Sequence, residues 1–214
     1  MHKISLIFYL LFIFLLQGFA KKNIPQHPCT DTLNALGNIL IYSRDDAQLE
    51  ETNPLFIALI DSIIRAPESM QYAFDSVKAL SVFEPKNKQF RLYNWSMQHN
   101  DRTYSYFGFI QYHDTKSNCI QVFPLKEIQS DIANIEKQKL SHTQWLGAHY
   151  YKLIENKYQG VYYYTLLGWD GNAITSTKKI IEVLTFDDLH TPWFGADIFE
   201  TGKTMGLHRV VFEY

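Results

Sequence analysis

The stretch "YYYTLLGWDGN", from Tyr162 to Asn172, is the part of the sequence that is most informative about the fold. Successive side chains of a β-strand point to opposite faces, so this stretch divides into two sets. One set is Tyr162, Tyr164, Leu166 and Gly168, and the other is Tyr163, Thr165, Leu167 and Trp169. Both sets are mainly apolar or aromatic, which predicts a strand that is covered on both faces. The Asp170-Gly171 step then predicts a two-residue hairpin turn.

The same period of two runs through most of the chain after Ser81. The segment from Tyr104 to Phe123 predicts a β-hairpin, and "QFRLYNW" before it predicts a neighbouring strand. In the first strand of the hairpin, alternation places Tyr106 and Ile110 on one face and Phe107 and Phe109 on the other. Further strands are predicted after Ala148, in the segments "AHYYKLIE", "GVYYYTLLGW", "KKIIEVLTF", "FGADIF" and "HRVVFEY". Between these groups, the segment 124–140 has helically spaced isoleucines but many polar residues, so a helix and a loop both stay open.

Before Ser81 the apolar residues recur every three or four positions, which predicts helices. The clearest helix covers "TNPLFIALIDSIIR", with Asn53 as its cap and Pro54 at its first position. A second helix is predicted over "APESMQYAFDSVKAL", and a weaker one from Asp31 to Tyr42. The fold class is therefore α+β, with N-terminal helices packed on a mostly antiparallel β-sheet. We expect residues 21–81 (helical) and 82–214 (β-rich) to form one unit.

The first 20 residues are typical of an export signal. A short basic start, "MHK", precedes the uncharged apolar run "ISLIFYLLFIFLL", and the small residues Gly18 and Ala20 predict cleavage after Ala20. The alternative is an uncleaved membrane anchor, for which the apolar span is short. We therefore expect a periplasmic, envelope-associated or secreted protein, which contacts a membrane only if this segment stays attached.

The charge balance excludes a strongly basic surface. Without the signal, 19 basic residues face 22 acidic ones, and no basic cluster indicates a nucleic-acid partner. Export also allows a disulfide between the two cysteines, Cys29 and Cys119. Their separation carries no spacing signature, so the sequence leaves that pairing open.

Aromatic residues offer one class of candidate site. If Trp145, Trp169 or Trp193 reaches solvent, its ring is a platform for a sugar face, with Asp170 and Asn172 as polar contacts. The alternative interpretation assigns these residues to a packed core and a hairpin. Nothing in the sequence says which tryptophans are exposed.

The segment "DDLHTPW" offers the other class. Asp187 and His190 are candidate ligands for a divalent metal, and Asp188 with His190 is a candidate acid–base pair. Asp, Thr and Pro are also ordinary turn residues, and we favour a turn between two strands. No motif for a serine nucleophile, a phosphate-binding loop or a zinc site occurs, so we predict no cofactor. A carboxylate pair that meets only in space stays open.

The C-terminal third of the chain resembles a family of uncharacterised secreted proteins from Bacteroidota. The resemblance covers Trp145 to Tyr214 and is carried by "YYYTLLGWDGN", "KKIIEVLTF", "FGADIF" and "RVVFEY". It brings no established activity and no catalytic residues. The chain departs from the family pattern at Leu146 and His149, and it stops at Tyr214 where similar proteins continue.

These observations favour an exported, non-catalytic protein of the cell envelope or secretome that works by contact or as a structural part. The first alternative is a module that binds a glycan or another small ligand. The second is a hydrolase whose site has no sequence signature. The partner, whether an envelope protein or a glycan, stays unknown at this level.

Overall fold

The computed structural model describes residues 27–128, 132–173, 175–201 and 204–214. The predicted signal, residues 1–20, lies outside this part of the chain. Two α-helices come first, α1 (Thr30–Tyr42) and α2 (Asp46–Ile64). Short 3-10 helices follow at Pro67–Gln71, Ile135–Lys137 and His142–Gln144.

The first sheet is an antiparallel meander of four strands in chain order. They are β1 (Ser81–Phe83), β2 (Phe90–Gln98), β3 (Tyr104–Asp114) and β4 (Cys119–Leu125). This confirms the predicted hairpin and its neighbouring strand.

The second sheet has six strands and is also antiparallel. Its members are β5 (Leu140–Ser141), β6 (His149–Tyr158), β7 (Val161–Ala173), β8 (Ser176–Phe186), β9 (Pro192–Phe194) and β12 (Arg209–Glu213). The order is β5-β9-β8-β7-β6, and β12 pairs with β8 beside β9. A separate two-stranded ribbon joins β10 (Phe199–Thr201) to β11 (Thr204–Leu207).

The elements form three layers: helices, four-stranded sheet and six-stranded sheet. Alternate residues of β2 enter different cores, because Phe90 and Leu92 face the second sheet while Tyr93 and Trp95 face the helices. The four-stranded sheet is therefore the layer that is covered on both faces. The α+β class and the packing of N-terminal helices on antiparallel strands are confirmed, with a second sheet added behind the first.

A fully buried ion pair lies on the inner face of the six-stranded sheet. Arg209 Nε donates to Glu182 Oε2 at 3.0 Å, and neither side chain is exposed to solvent. The other carboxylate oxygen of Glu182 accepts from the Tyr150 hydroxyl, which in turn accepts from Trp145 Nε1 at 2.8 Å. The remaining guanidinium nitrogens donate to the backbone carbonyls of Ile135, Gln138 and Phe194. These partners replace the water that both charges lose on burial.

Helix α2 begins earlier than the sequence predicted. Its cap is Asp45, whose side chain accepts from Ala47 N at 3.0 Å, and Pro54 lies inside the helix. Asn53 is not the cap. It is buried, and its amide oxygen accepts from Trp95 Nε1 at 3.0 Å. The first turns of α2 are mainly polar, and among their residues Leu49 is fully buried in the core.

The helix predicted over residues 66–80 is wrong apart from one 3-10 stretch, Pro67–Gln71. Arg91 Nη1 donates to the carbonyls of Ser69 and Tyr72, at 3.1 and 2.9 Å. The Ser69 carbonyl also accepts from Tyr72 N–H, which closes the 3-10 stretch, and the Tyr72 carbonyl serves the Arg91 side chain where a longer helix would continue. The predicted apolar face is still used, because Phe74 and Val77 are buried in the core below α2. Tertiary contacts override the local helical pattern here.

The predicted turn at Asp170-Gly171 is wrong. Strand β7 continues to Ala173, which pairs with Ser176 of β8. Gly171 is needed for close approach and not for a turn, since a Cβ there would lie 2.3 Å from the Tyr104 ring.

The structure also changes or decides three smaller expectations. Only the face of β7 with Tyr164 and Leu166 is deeply buried, whereas Tyr163 and Leu167 on the other face are half-buried. The segment "FGADIF" is not one strand, because residues 195–198 separate β9 from β10. In segment 124–140, the described residues between the end of β4 and the start of β5 form loops and the 3-10 helix Ile135–Lys137 instead of a long helix.

Cys29 and Cys119 are both free, and no disulfide joins them. Cys29 is half-buried at the start of α1, and Cys119 is exposed at the start of β4. Among the described residues, no helix has the length and hydrophobicity to cross a bilayer.

The buried ion pair predicts a large effect of one substitution. Arg209→Met leaves the Glu182 carboxylate buried without its cation, and we expect a loss of about 3–5 kcal/mol in unfolding free energy. Urea denaturation monitored by tryptophan fluorescence measures this loss.

Arg65→Met is the matched control, because Arg65 pairs with Asp61 on the exposed surface of α2. An exposed pair of this kind contributes about 0.5 kcal/mol. The double variant Arg209→Met/Glu182→Leu removes both charges and should recover part of the loss. Equal losses in Arg209→Met and Arg65→Met would contradict a stabilising role of the buried pair.

Candidate functional site

A cavity of about 380 Å³ lies on the inner face of the six-stranded sheet. Its lining combines aliphatic and charged residues. The aliphatic residues are Ile132, Ile135, Leu146, Ile180 and Val211. The charged residues are Glu136, Asp170, Lys178 and Glu213. This volume is within the range of about 300–1,000 Å³ that small-molecule sites occupy.

One wall of the cavity is the segment 132–146, and it is held in place by polar contacts with β12 and with His208 just before it. The backbone N–H of His208 donates to Glu136 O at 2.7 Å, and the N–H of Val211 donates to Glu136 Oε1 at 3.1 Å. Arg209 adds its bonds to the carbonyls of Ile135 and Gln138. The buried ion pair therefore also positions this wall.

The opposite wall is the sheet itself. Antiparallel pairing places Asp170 of β7, Lys178 of β8 and Glu213 of β12 side by side in one row. The same pairing places Ile180 beside Val211, one step further along the strands. Residues that are far apart in sequence thus form a surface that is charged at one end and aliphatic at the other.

Tyr106 connects the four-stranded sheet to Asp170. Its hydroxyl donates to Asp170 Oδ1 at 3.0 Å and accepts from the backbone N–H of Gly171 at 2.7 Å. Burial and the negative charge of Asp170 raise the pKa of Tyr106 far above its ordinary value, so the phenol keeps its proton. The contact fixes the orientation of the Asp170 carboxylate at the cavity.

Glu127 is a second carboxyl group in this region. Its Oε2 atom accepts from the backbone N–H of Tyr106 at 2.9 Å, and Gly147 lies against its other oxygen. Gly147 has φ +83°, and a Cβ there would lie 2.6 Å from Glu127 Oε1. Burial raises the pKa of Glu127 to about 7, against the effect of the Tyr106 hydrogen bond and with a further contribution from Asp170. Near neutral pH this carboxyl is therefore partly protonated.

The three candidate tryptophans differ in burial and in their contacts. Trp145 is fully buried and donates to the Tyr150 hydroxyl, so its ring is not a surface for a ligand. Trp169 is half-buried, and its ring meets Tyr104 edge-on with centroids 4.9 Å apart. Trp193 is half-buried below Lys139, with Nε1 donating to Asp187.

The two polar residues predicted to accompany the tryptophans have different outcomes. Asp170 lines the cavity, although it does so beside aliphatic residues and not beside an aromatic platform. The backbone of Asn172 lies in β7, and its side chain is outside the described part of the chain.

The segment 187–193 forms the turn that the sequence favoured. Asp187 Oδ1 accepts from the backbone N–H groups of Leu189 and Thr191, at 3.0 and 2.8 Å. His190 has φ +64°, and its ring stacks on Tyr112 with centroids 4.4 Å apart. Asp188 is exposed. Within the described residues, no group of three or more His, Cys, Asp or Glu side chains is arranged to hold a metal.

Sequence reasoning missed Tyr106, Glu127 and the aliphatic lining. Tyr106 was assigned to a strand face, and Glu127 lies in the segment whose structure stayed open. A strand tyrosine and a loop glutamate have no local signal for function, since they meet Asp170 only after the two sheets pack. The one signal for this site in the sequence was Asp170, which directly follows an aromatic strand segment.

No family model matches this chain, and comparisons with curated proteins and with solved structures give no match. The functional conclusion therefore rests on the geometry of the site.

Glu127 predicts a pH dependence of stability. Its pKa is higher in the folded protein than the ordinary value of 4.5, so the folded state binds more protons than the unfolded state between pH 4.5 and about 7. Stability attributable to this group therefore falls as pH rises through that window. Glu127→Gln keeps an acceptor for Tyr106 N–H and removes the buried charge. We expect it to raise unfolding free energy at pH 8 by about 1–3 kcal/mol relative to the wild type, and to have little effect at pH 4.

Urea denaturation at several pH values from 4 to 8 measures this difference. Glu50→Gln, at an exposed position of α2, controls for the loss of one charge and should give a difference that is nearly independent of pH. A pH-independent difference for Glu127→Gln as well would show that Glu127 titrates normally in the folded protein.

Proposed function

We propose that this protein is an exported, non-catalytic binding protein that holds a small, partly aliphatic ligand in the cavity. The observation that carries the proposal is the composition of the lining, in which, among the described residues, five aliphatic side chains meet four charged ones. Small-molecule sites combine an apolar wall with a few polar groups that fix orientation in this way. Export rests on the N-terminal 20 residues of the sequence.

The aliphatic lining favours a chain-like ligand over a glycan. Sugars are commonly held on the faces of aromatic rings, and no aromatic residue is among the described residues that line the cavity. Trp145, which directly precedes the lining residue Leu146, has no exposed surface. Of the two kinds of ligand that the sequence suggested, the geometry supports the non-glycan one.

A second candidate, contact with a protein partner, is favoured by the exposed residues of β6. Tyr151, Ile154 and Tyr158 on this edge strand are 50%, 40% and 66% exposed, and Val161 follows at the start of β7. Exposed apolar groups on an edge strand suit the addition of a partner's extended strand. If this is correct, Ile154→Lys/Tyr158→Lys abolishes cross-linking to the partner in an envelope extract. Unchanged cross-linking in that variant would exclude β6 as the contact.

The cavity proposal is tested with three probes of equal chain length: n-octylamine, 1-octanol and octanoate. Isothermal titration calorimetry, at probe concentrations below micelle formation, measures their binding. We expect at least one probe to bind the wild type and none to bind Val211→Trp, since an indole at position 211 fills the space beside Ile180.

Val210→Trp is the matched control, because Val210 is the neighbouring residue on the opposite face of β12 and is also half-buried. It should bind the same probes as the wild type. Binding of no probe by the wild type, or equal binding by Val211→Trp, would contradict the cavity as a ligand site.

A further inference from the structure

We infer that two copies of this protein associate through strand β6, which pairs antiparallel with β6 of the second copy. The inference rests on the second candidate function above, contact through β6, and it names the partner. It is independent of the cavity. Three features of β6 carry it: free backbone groups along its outer edge, exposed apolar side chains, and the order of the charges along the strand.

The turn between β6 and β7 fixes which backbone groups of β6 face outward. Gln159 and Gly160 have φ +47° and +86°, as in the type I′ turn of a two-residue hairpin. Such a turn closes with a hydrogen bond between the residues that flank it, here Tyr158 and Val161, which pair in register. Hydrogen-bonded and non-hydrogen-bonded pairs alternate along an antiparallel ladder. Every second residue of β6 before Tyr158 therefore directs its N–H and C=O groups away from β7.

These outward residues are Leu153, Glu155 and Lys157. Strand β6 is the last strand of its sheet, so no further strand of the sheet lies beside them. Within the described part of the chain, the backbone of residues 153–157 forms hydrogen bonds with β7 alone. An edge with free N–H and C=O groups is a template for pairing with another strand.

Two apolar side chains lie beside this edge. Ile154 and Tyr158 are on one face of β6, because an even number of positions separates them, and both are exposed. Exposed apolar groups that lie close together are typical of protein–protein contacts. A strand added to β6 would cover both side chains.

The order of the charges selects a second copy as the partner and one register of pairing. In an antiparallel pair centred on Asn156, Glu155 of each copy lies opposite Lys157 of the other. Ile154 of each copy then lies opposite Tyr158 of the other. A pair centred on Glu155 would instead place two glutamates opposite each other. Opposite charges stabilise a cross-strand pair and like charges destabilise it, so the pair centred on Asn156 is favoured.

The first residues of β6 exclude registers centred nearer its start. Tyr150 is fully buried, and its N–H donates to Asn94 Oδ1. The ladder with β7 is also irregular between Tyr150 and Lys152. A pair centred on Ile154 would run the second copy along this segment, whereas the pair centred on Asn156 uses only residues 154–158 of each copy.

Both charges are free to meet a second copy. Glu155 Oε2 accepts from the backbone N–H of Asn87 at 3.1 Å, and this donor is uncharged. Lys157 Nζ lies 4.6 Å from the centroid of the Tyr162 ring and 3.5 Å from its hydroxyl, and this side chain is also uncharged. Among the described residues, neither Glu155 nor Lys157 is part of an ion pair. Pairing with a second copy would give each charge an opposite charge.

Reversal of single charges tests the pairing. Sedimentation velocity of the purified protein, from micromolar to millimolar concentration, measures its self-association. We expect the wild type to form a weak, concentration-dependent dimer, because a short strand contact buries less area than a standard interface. Glu155→Lys and Lys157→Glu each create two pairs of like charges across the axis. Each should weaken association at least about tenfold.

An equimolar mixture of these two variants is the decisive sample. In a mixed dimer, both cross-strand pairs again join opposite charges, and the same holds for the double variant Glu155→Lys/Lys157→Glu. Both samples should associate within about threefold of the wild type. Lys152→Glu is the matched control, because Lys152 is an exposed lysine of the same strand and falls opposite the turn of the second copy. It should associate as the wild type does. Circular dichroism melting verifies that each variant is folded.

Each outcome has a distinct meaning. A wild type that stays monomeric up to millimolar concentration overturns the inference and leaves the cavity proposal unaffected. A dimer that survives in Glu155→Lys and Lys157→Glu also overturns it, because the copies would then meet elsewhere. Loss of association in both variants without recovery in their mixture contradicts the pairing of Glu155 with Lys157. Dimer formation without binding of any octyl probe would contradict the cavity as a ligand site and support this inference.

Discussion

The buried pair of Glu182 and Arg209 is the interaction on which the rest of the second sheet depends. Two charges without solvent contact are stable only when each finds enough hydrogen-bond partners to replace water. Arg209 finds Glu182 and three backbone carbonyls, and Glu182 finds Arg209 and the Tyr150 hydroxyl. These partners come from β6, β8, β9, β12 and the segment before β5, so one network fixes their relative positions.

Other buried polar side chains join the layers in the same way. Asn94 of β2 donates to the Ala148 carbonyl at 3.0 Å and accepts from Tyr150 N at 2.7 Å, which connects the two sheets. Gln111 of β3 donates to Ile64 O and Ser69 Oγ and accepts from the Tyr93 hydroxyl, which connects the first sheet to the end of α2. Apolar contact alone is not directional, whereas each of these bonds holds one arrangement of the layers.

The cavity follows from this arrangement. Tyr106 of the four-stranded sheet reaches Asp170 at one end of the row from Asp170 to Glu213, and the segment 132–146 lines the other side of the cavity. Because Arg209 and Glu136 hold that segment against β12, the space between segment and sheet persists as a defined cavity. The proposed binding function would use the same contacts that stabilise the fold, and it requires no catalytic group.

The sequence by itself determined the long strands and how their residues divide between two faces. Alternation in β2 and β3 is a local property of extended backbone, so the assignment of Tyr106 and Ile110 to one face and of Phe107 and Phe109 to the other was correct from the sequence. The α+β class and helix α1 followed from the same local periodicity. The start of α2 and the lost helix after Pro67 did not, because Asn53 bonds to Trp95 and Arg91 takes the carbonyls of Ser69 and Tyr72.

Only the tertiary structure decided that there are two sheets, which residues the helices cover, and where the cavity lies. The sequence separates Tyr106 from Asp170 by 64 positions, and their contact requires both sheets to be packed. It also could not show that Trp145 is buried or that Asp187 closes a turn, since exposure depends on what other segments place above a residue. The periodicity of apolar residues shows which face of a segment is buried. Which other segments cover that face is decided by contacts between residues that are distant in the chain.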